Sequence, residues 1–125
     1  MTPLSVLMVF LGGAMGAPAR YLTDRAVQSR HSGVLPWGTF TVNVAGSLIL
    51  GGLAAAGARH GLPADIGLLL GTGFCGGLTT FSTYGYETVR LVERGALGAA
   101  ALNALGSLAA GLGAAALGYA VVCAL

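Results

Sequence analysis

Long apolar runs separated by short polar or Gly/Pro stretches dominate this chain. Four of the runs reach about twenty residues, the length that an α-helix needs to cross the hydrocarbon core of a bilayer. They cover approximately residues 3–22, 37–58, 65–91 and 97–122. The pattern therefore predicts an all-α membrane protein, with one domain of four transmembrane helices, numbered here as the first to fourth spans.

The residues at the start of each run favour the beginning of a helix. Thr2 followed by Pro3 suits an N-cap and a first helical position. Trp37 indicates a helix start at the membrane interface. Asp65, which follows Pro63, is the expected N-cap of the third span.

One segment of the third span is poorly suited to an uninterrupted helix. Residues 76–80 place two glycines and two β-branched hydroxyl residues at mid-membrane depth. We expect the helix to open there and to resume at about Thr80, so that the third span is a broken helix. A freed carbonyl cannot face lipid, so it must be buried against protein, line water or hold a cation.

A polar and aromatic run follows this segment and does not suit a lipid-facing surface. It consists of Phe81, Ser82, Thr83 and Tyr84. Phe81 and Tyr84 are three positions apart, so they lie on the same side of a resumed helix. Aromatic rings have a positive edge, so two ring edges can solvate an anion. Aromatic packing between helices is the alternative role for this pair.

A few other polar residues interrupt the spans. Asn43 in the second span either bonds a neighbouring helix or contacts a substrate. Asn103 and Ser107, four positions apart in the fourth span, have the same two possible roles. Arg20 either extends to the lipid headgroups or forms a fixed cation at the mouth of an anion path.

Composition agrees with a lipid environment. The chain has 125 residues, of which 55% are hydrophobic and 8% are charged, and its mean hydropathy is +0.82. Soluble domains average about 25% charged residues, so this chain cannot cover a water-soluble surface. Its net charge of +2 includes no basic run, so we expect no nucleic-acid partner.

The sequence offers little for catalysis or proton coupling. The acidic residues of the spans, Asp65 and Glu87, both lie near the ends of the third span, whereas proton relays need a titratable group at depth. Cys75 and Cys123 are far apart and lack metal-binding spacing, so we expect two free thiols. No base, nucleophile or metal cluster suggests an enzyme.

The arginines are distributed unequally between the loops. Arg59 falls on one side of a four-span topology, and five fall on the other: Arg20, Arg25, Arg30, Arg90 and Arg94. The positive-inside rule therefore places both chain termini outside the cytoplasm.

Taken together, these residues resemble the Fluc/CrcB family of fluoride channels over essentially the whole chain. The most specific match is the segment GFCGGLTTFSTY, residues 73–84. Further matches are Gly12, Gly13, Gly16, Ala17, Arg20 and Tyr21 in the first span and Thr41, Asn43 and Gly46 in the second. The resemblance implies a four-helix subunit that dimerises antiparallel. It also implies fluoride pores at the subunit interface and a structural sodium ion at the dimer centre.

The resemblance also implies roles for individual residues. The backbone carbonyls of Gly76 and Thr79 would bind sodium, and Arg20 would lie in a vestibule. The fluoride pore would contain Asn43, Phe81, Ser82, Thr83, Tyr84, Asn103 and Ser107. Fluoride is strongly hydrated and must be offered hydrogen bonds as water is removed, which neutral amides and hydroxyls can supply. A full positive charge in the narrow part would trap the ion.

Two features depart from the family pattern. Tyr84 stands where the family usually has a second phenylalanine, so its hydroxyl could hydrate, narrow or block one pore. The arginine bias is unexpected for a subunit that inserts in both orientations. We therefore consider two partners, a second copy of this chain and a paralogous subunit of inverted topology.

The leading functional hypothesis is passive fluoride efflux across the inner (plasma) membrane, which would confer fluoride resistance. One alternative is a proton-coupled small multidrug exporter, although such exporters need a carboxylate deep in the first span. The other is a membrane scaffold that transports nothing, in which the glycines and aromatic residues only pack.

Overall fold

The structure is built from four long apolar helical regions. The computed structural model describes residues 2–125, and no β-strand occurs in that part of the chain. The four helical regions long and apolar enough to cross a membrane are Pro3–Gln28, Trp37–Arg59, Ala64–Glu93 and Leu97–Ala124. The predicted all-helical class with four possible spans is therefore confirmed. We call Pro3–Gln28 α1, Trp37–Arg59 α2 and Leu97–Ala124 α5.

The third region contains one stretch of non-helical backbone. Here α3 covers residues 64–78 and α4 covers Ser82–Glu93. Thr79, the first residue after α3, has φ −85° and ψ 161°, which is extended backbone. We call residues 79–81 the linker, because they connect α3 to α4 without continuing either helix.

Two segments of these helices are π-helical. They are Leu68–Cys75 in α3 and Leu102–Gly106 in α5. Wider π-type turns inside helices are frequent at functional sites. The first of them, Leu68–Cys75, borders the groove described below, and the second borders a smaller pocket beside it.

The helix starts agree with the sequence in one case and differ in another. The Thr2 hydroxyl accepts a hydrogen bond from the Ser5 amide at 3.1 Å, so the predicted N-cap of α1 is confirmed. The predicted N-cap at Asp65 is wrong, because α3 begins one residue earlier and its N-cap is Pro63. Asp65 instead lies in the first turn, where a carboxylate is still favoured by the helix dipole.

The sequence predicted that the helix opens within residues 76–80, and of these only Thr79 and Thr80 lie outside helical geometry. Gly76 has φ −62° and ψ −38° and is helical, so helical geometry ends only after Leu78. The neighbouring Gly77 serves close packing, since a Cβ there would lie 3.0 Å from the Gly13 carbonyl oxygen of α1. This glycine lets two backbones approach each other while the helix continues.

Small residues also control the other large helix interface. α2 packs mainly against α5, and α1 packs mainly against α3. A Cβ added to Gly51 would overlap the Ala115 carbonyl, and one added to Gly118 would overlap the Leu48 carbonyl. Because backbone atoms cannot move aside as side chains can, α2 and α5 are fixed in distance and register.

We predict that Gly118→Ala destabilises the fold whereas Gly113→Ala does not. The added methyl group at position 118 meets the α2 backbone, and overpacking of this kind costs about 1–3 kcal/mol. Gly113 lies on the same helix with nothing within 4 Å of its added Cβ, so both variants share the same change in helix propensity. Thermal unfolding in detergent micelles measures the difference. Equal melting temperatures for the two variants would contradict this packing account.

Candidate functional site

An open groove of about 860 Å³ runs between α2, α3 and α5. Six of the residues singled out in the sequence border it: Asn43, Gly76, Thr79, Phe81, Tyr84 and Ser107. No charged side chain belongs to the lining formed by the described residues. The groove is therefore lined by apolar groups and by a few neutral polar groups.

Asn43 holds the linker through two hydrogen bonds to one residue. Its Nδ2 donates to the Thr80 carbonyl at 2.9 Å, and its Oδ1 accepts from the Thr80 amide at 2.7 Å. The carboxamide thus replaces both backbone partners that Thr80 lacks outside a helix. Of the two roles expected for Asn43, the structure shows a bond to a neighbouring segment. Its second Nδ2 hydrogen is left free to bond a group in the groove.

The Thr80 side chain contacts the first turn of α4. Its Oγ1 accepts a hydrogen bond from the Thr83 amide at 3.2 Å and lies 3.3 Å from the Ser82 hydroxyl oxygen. The Thr80 hydroxyl thus accepts from one free amide of the first turn of α4, which begins at Ser82 with Phe81 as its N-cap residue and not at about Thr80 as the sequence predicted. Ser82 and Thr83 are exposed and do not line the groove, so the structure separates them from the other candidate residues.

The end of α3 presents carbonyl groups without protein partners. Among the hydrogen bonds of residues 2–125, none outside the helix itself ends on the carbonyls of Gly76, Gly77 or Leu78. Gly76 is exposed and borders the groove. The C-terminal end of a helix carries partial negative charge, so this group of oxygens can accept a cation.

Arg20 approaches the same region from α1. Its Nη1 donates to the Thr79 carbonyl at 3.5 Å, a long hydrogen bond, and its side chain is half-buried. Arg20 is not part of the groove lining. Its guanidinium therefore interacts with the linker backbone from outside the groove.

The aromatic pair predicted from the sequence is present. The ring centroids of Phe81 and Tyr84 are 5.8 Å apart, at an interplanar angle of 51°. The Phe81 side chain is 83% exposed in the single chain. The Tyr84 hydroxyl donates to the Ala104 carbonyl of α5 at 2.7 Å, so its proton is not directed at the groove. Tyr84 thus contributes its ring to the lining while its hydroxyl anchors α4 to α5.

Asn103 and Ser107 belong to a chain of hydrogen bonds. Asn103 is buried, and its Nδ2 donates to the Thr88 hydroxyl oxygen at 2.8 Å. The Ser107 hydroxyl donates to Asn103 Oδ1 at 3.4 Å. Ser107 lines the groove, and both residues line a second pocket of about 200 Å³ next to Trp37 and Phe40. Sequence reasoning missed Thr88, because its role depends on a partner in another span.

A second contact that the sequence did not reveal joins the middle of α4 to the start of α2. The buried Thr39 donates to Glu87 Oε1 at 2.6 Å. Thr39 is in the first turn of α2, where the helix dipole favours a nearby carboxylate. Glu87 is therefore held at a helix end and does not enter the groove.

Comparison with known proteins agrees with the early resemblance. Residues 7–119 match the family model described as CrcB-like protein, Camphor Resistance (CrcB). The chain is 57% identical over 109 residues to fluoride-specific ion channel FluC 1 of Streptomyces avermitilis, covering 87% of this chain and 88% of that protein. It is 56% identical over 120 residues to FluC 1 of Frankia casuarinae, covering 92% and 93% of the two chains. Identity to FluC 2 of Rhodococcus jostii is 50% over 116 residues, covering 93% and 96%.

We predict that Asn43→Leu destabilises the protein by about 2–4 kcal/mol, because it leaves the amide and carbonyl of Thr80 without partners. Ser47→Ala is the matched control. Ser47 lies one turn further along α2 on the same groove, and no hydrogen bond of its hydroxyl is found in the described residues. Chemical unfolding in detergent micelles measures both changes. A loss for Asn43→Leu no greater than that for Ser47→Ala would contradict the role given to Asn43.

Proposed function

The chain belongs to the CrcB family and is a multi-pass membrane protein. On this premise we propose that it is a fluoride-specific ion channel. It allows fluoride to leave the cytoplasm down its electrochemical gradient and so confers fluoride resistance. The observation that carries the proposal is the groove, in which Asn43, Phe81, Tyr84 and Ser107 meet without a charged side chain. Relatives named as fluoride-specific ion channels share about half of its residues or more.

The chemistry of the groove suits a small, strongly hydrated anion. The second Nδ2 hydrogen of Asn43 and the Ser107 hydroxyl are neutral donors that can replace water. The exposed Phe81 ring adds a positive edge without a formal charge. Binding of this kind is weak enough for the ion to leave again, which conduction requires. Arg20, outside the lining, suits a vestibule where it attracts anions without trapping them.

The alternatives fit less well. A proton-coupled exporter needs a titratable carboxylate in its transport path, but the groove lining contains none in the described residues. Glu87 is held by Thr39 near the start of α2. A scaffold that only packs would have no use for polar groups along an open groove, whereas an ion path needs them.

We propose that a structural sodium ion is bound by the backbone carbonyls of Gly76 and Thr79. The Gly76 carbonyl has no donor in the described residues and lies at the negative end of α3. The Thr79 carbonyl receives only a long contact from Arg20, and its second lone pair can bind a cation. The proposed ligands are backbone carbonyls alone, and the described residues contain no group of three or more His, Cys, Asp or Glu side chains that could hold a metal ion.

We further propose that the functional unit is an antiparallel dimer in the inner (plasma) membrane. Two carbonyls do not complete the coordination of a hard cation, and the same carbonyls of a second, inverted subunit would add ligands. Near the groove, Phe81, Leu105 and Leu112 are 83%, 68% and 65% exposed, which suits a protein partner. The partner is a second copy of this chain or a paralogous subunit. Some relatives are named FluC 1 and others FluC 2, which is consistent with paired genes.

Fluoride release from reconstituted liposomes tests the function. We expect the wild-type protein, alone or with its paralogue, to release fluoride well above empty vesicles, as measured with an ion-selective electrode. Phe81→Ile removes a ring edge from the groove and should lower release on the order of tenfold, about the effect of one lost polar contact. Phe10→Ile is the matched control, because Phe10 is 69% exposed on α1 and does not line the groove.

The assembled state must be measured in the same preparations. A channel should lose fluoride release with Phe81→Ile and still form dimers, whereas a scaffold would lose assembly. No release above empty vesicles, with the paralogue also present, would refute the proposed function.

Removal of sodium tests the cation site separately from conduction. Replacing sodium with N-methyl-D-glucamine should lower the free energy of unfolding by about 2–3 kcal/mol when the starting sodium concentration is about one hundred times its Kd. Exchanging chloride for gluconate at constant sodium is the control for general salt effects. A melting temperature that does not depend on the cation would contradict a structural sodium ion.

A further inference from the structure

The donor and the acceptor of each hydrogen bond at the Thr88 hydroxyl are fixed. Thr88 has a single hydroxyl proton, which it donates to the Tyr84 carbonyl one turn earlier at 2.8 Å. Its oxygen can therefore only accept from Asn103, whose Nδ2 lies 2.8 Å away. Thr88 thus determines which end of the Asn103 carboxamide faces α4.

The orientation of the Asn103 carboxamide also determines which of its atoms faces the Ser107 hydroxyl. With Nδ2 bonded to Thr88, the Oδ1 of Asn103 faces Ser107 and accepts its proton at 3.4 Å. That bond is long, so it is the weakest of the three in this chain. Asn103 is only 6% exposed, so water cannot easily replace a lost partner. The Ser107 proton is loosely held on Asn103 at the wall of the groove.

We propose that Thr88, which does not line the groove, is a positioning residue for fluoride passage. By fixing the Asn103 carboxamide, it keeps the Ser107 hydroxyl bonded weakly to Asn103 until an anion arrives. The hydroxyl then turns its proton from Asn103 Oδ1 to the anion and returns it when the anion leaves. This inference rests on the proposed function, because it concerns the same groove.

Loss of the Thr88 oxygen would reverse the arrangement. Without an acceptor on α4, the buried Nδ2 group gains a partner only if the carboxamide turns towards Ser107. Ser107 would then accept from Asn103, and its own proton would point permanently into the groove. A donor that is always free holds an anion more tightly, and an ion that leaves slowly conducts slowly.

The first test observes Asn103 directly. The chain contains only two asparagines, Asn43 and Asn103, so labelling asparagine with ¹⁵N gives two pairs of side-chain amide signals in a ¹H–¹⁵N NMR spectrum, one pair from each carboxamide. We expect Thr88→Val to move the Asn103 signals, to leave the Asn43 signals in place, and Thr88→Ser to restore the wild-type spectrum. Thr41→Val is the matched control, because the Thr41 hydroxyl also bonds the carbonyl one turn earlier, at 2.8 Å to Trp37.

The second test measures fluoride release from liposomes with the same variants. Thr88→Val should slow release by about tenfold, the effect of one misdirected hydrogen bond, while Thr88→Ser and Thr41→Val should match the wild type. If Thr88→Val does not fold, Thr88→Ala removes the same oxygen with less bulk.

Two results would overturn the proposal. One is an Asn103 signal that Thr88→Val and Thr88→Ala leave unmoved. The other is a moved Asn103 signal with an unchanged rate of fluoride release. Failure of the proposed function looks different, because the wild-type protein itself would then release no more fluoride than empty vesicles.

Discussion

The structure depends on one constraint, which is that a backbone amide or carbonyl surrounded by apolar groups must have a partner. Asn43 meets this constraint by bonding both the amide and the carbonyl of Thr80, at 2.7 and 2.9 Å. The chain can therefore leave helical geometry at Thr79 without isolated polar groups. Because the linker turns away from the axis of α3, the last carbonyls of α3 are freed and Phe81 is presented at the groove.

The groups before and after the linker suit ions of opposite charge. Before the linker, the carbonyl of Gly76 is an acceptor without a donor in the described residues, which suits a cation. After the linker, the rings of Phe81 and Tyr84 and the hydroxyl of Ser107 offer positive edges and a donor, which suits an anion. Both depend on fixed distances between spans, and close contacts such as that of Gly118 with the α2 backbone keep those distances.

The hydrophobic pattern was enough to predict the four helices, because the bilayer sets their length. The proximity of Phe81 to Tyr84 and of Asn103 to Ser107 also followed from helical spacing. The end of α3 could not be located in this way, because Gly77 serves contact with α1 and not the opening of the helix. Contacts between spans could not be predicted from the sequence either. The bond from Asn103 to Thr88 and the anchoring of the Tyr84 hydroxyl on Ala104 depend on how α4 packs against α5.

Hydrogen exchange at the Thr80 amide tests the central role of Asn43 most directly. In the wild type we expect this amide to be protected to an extent similar to the Gly85 amide, which bonds the Phe81 carbonyl at 2.9 Å within the first turn of α4. In Asn43→Ala, exchange at Thr80 should accelerate by about tenfold or more, the effect of one lost hydrogen bond, while Gly85 stays protected. Equal protection of Thr80 in the wild type and in Asn43→Ala would contradict the account.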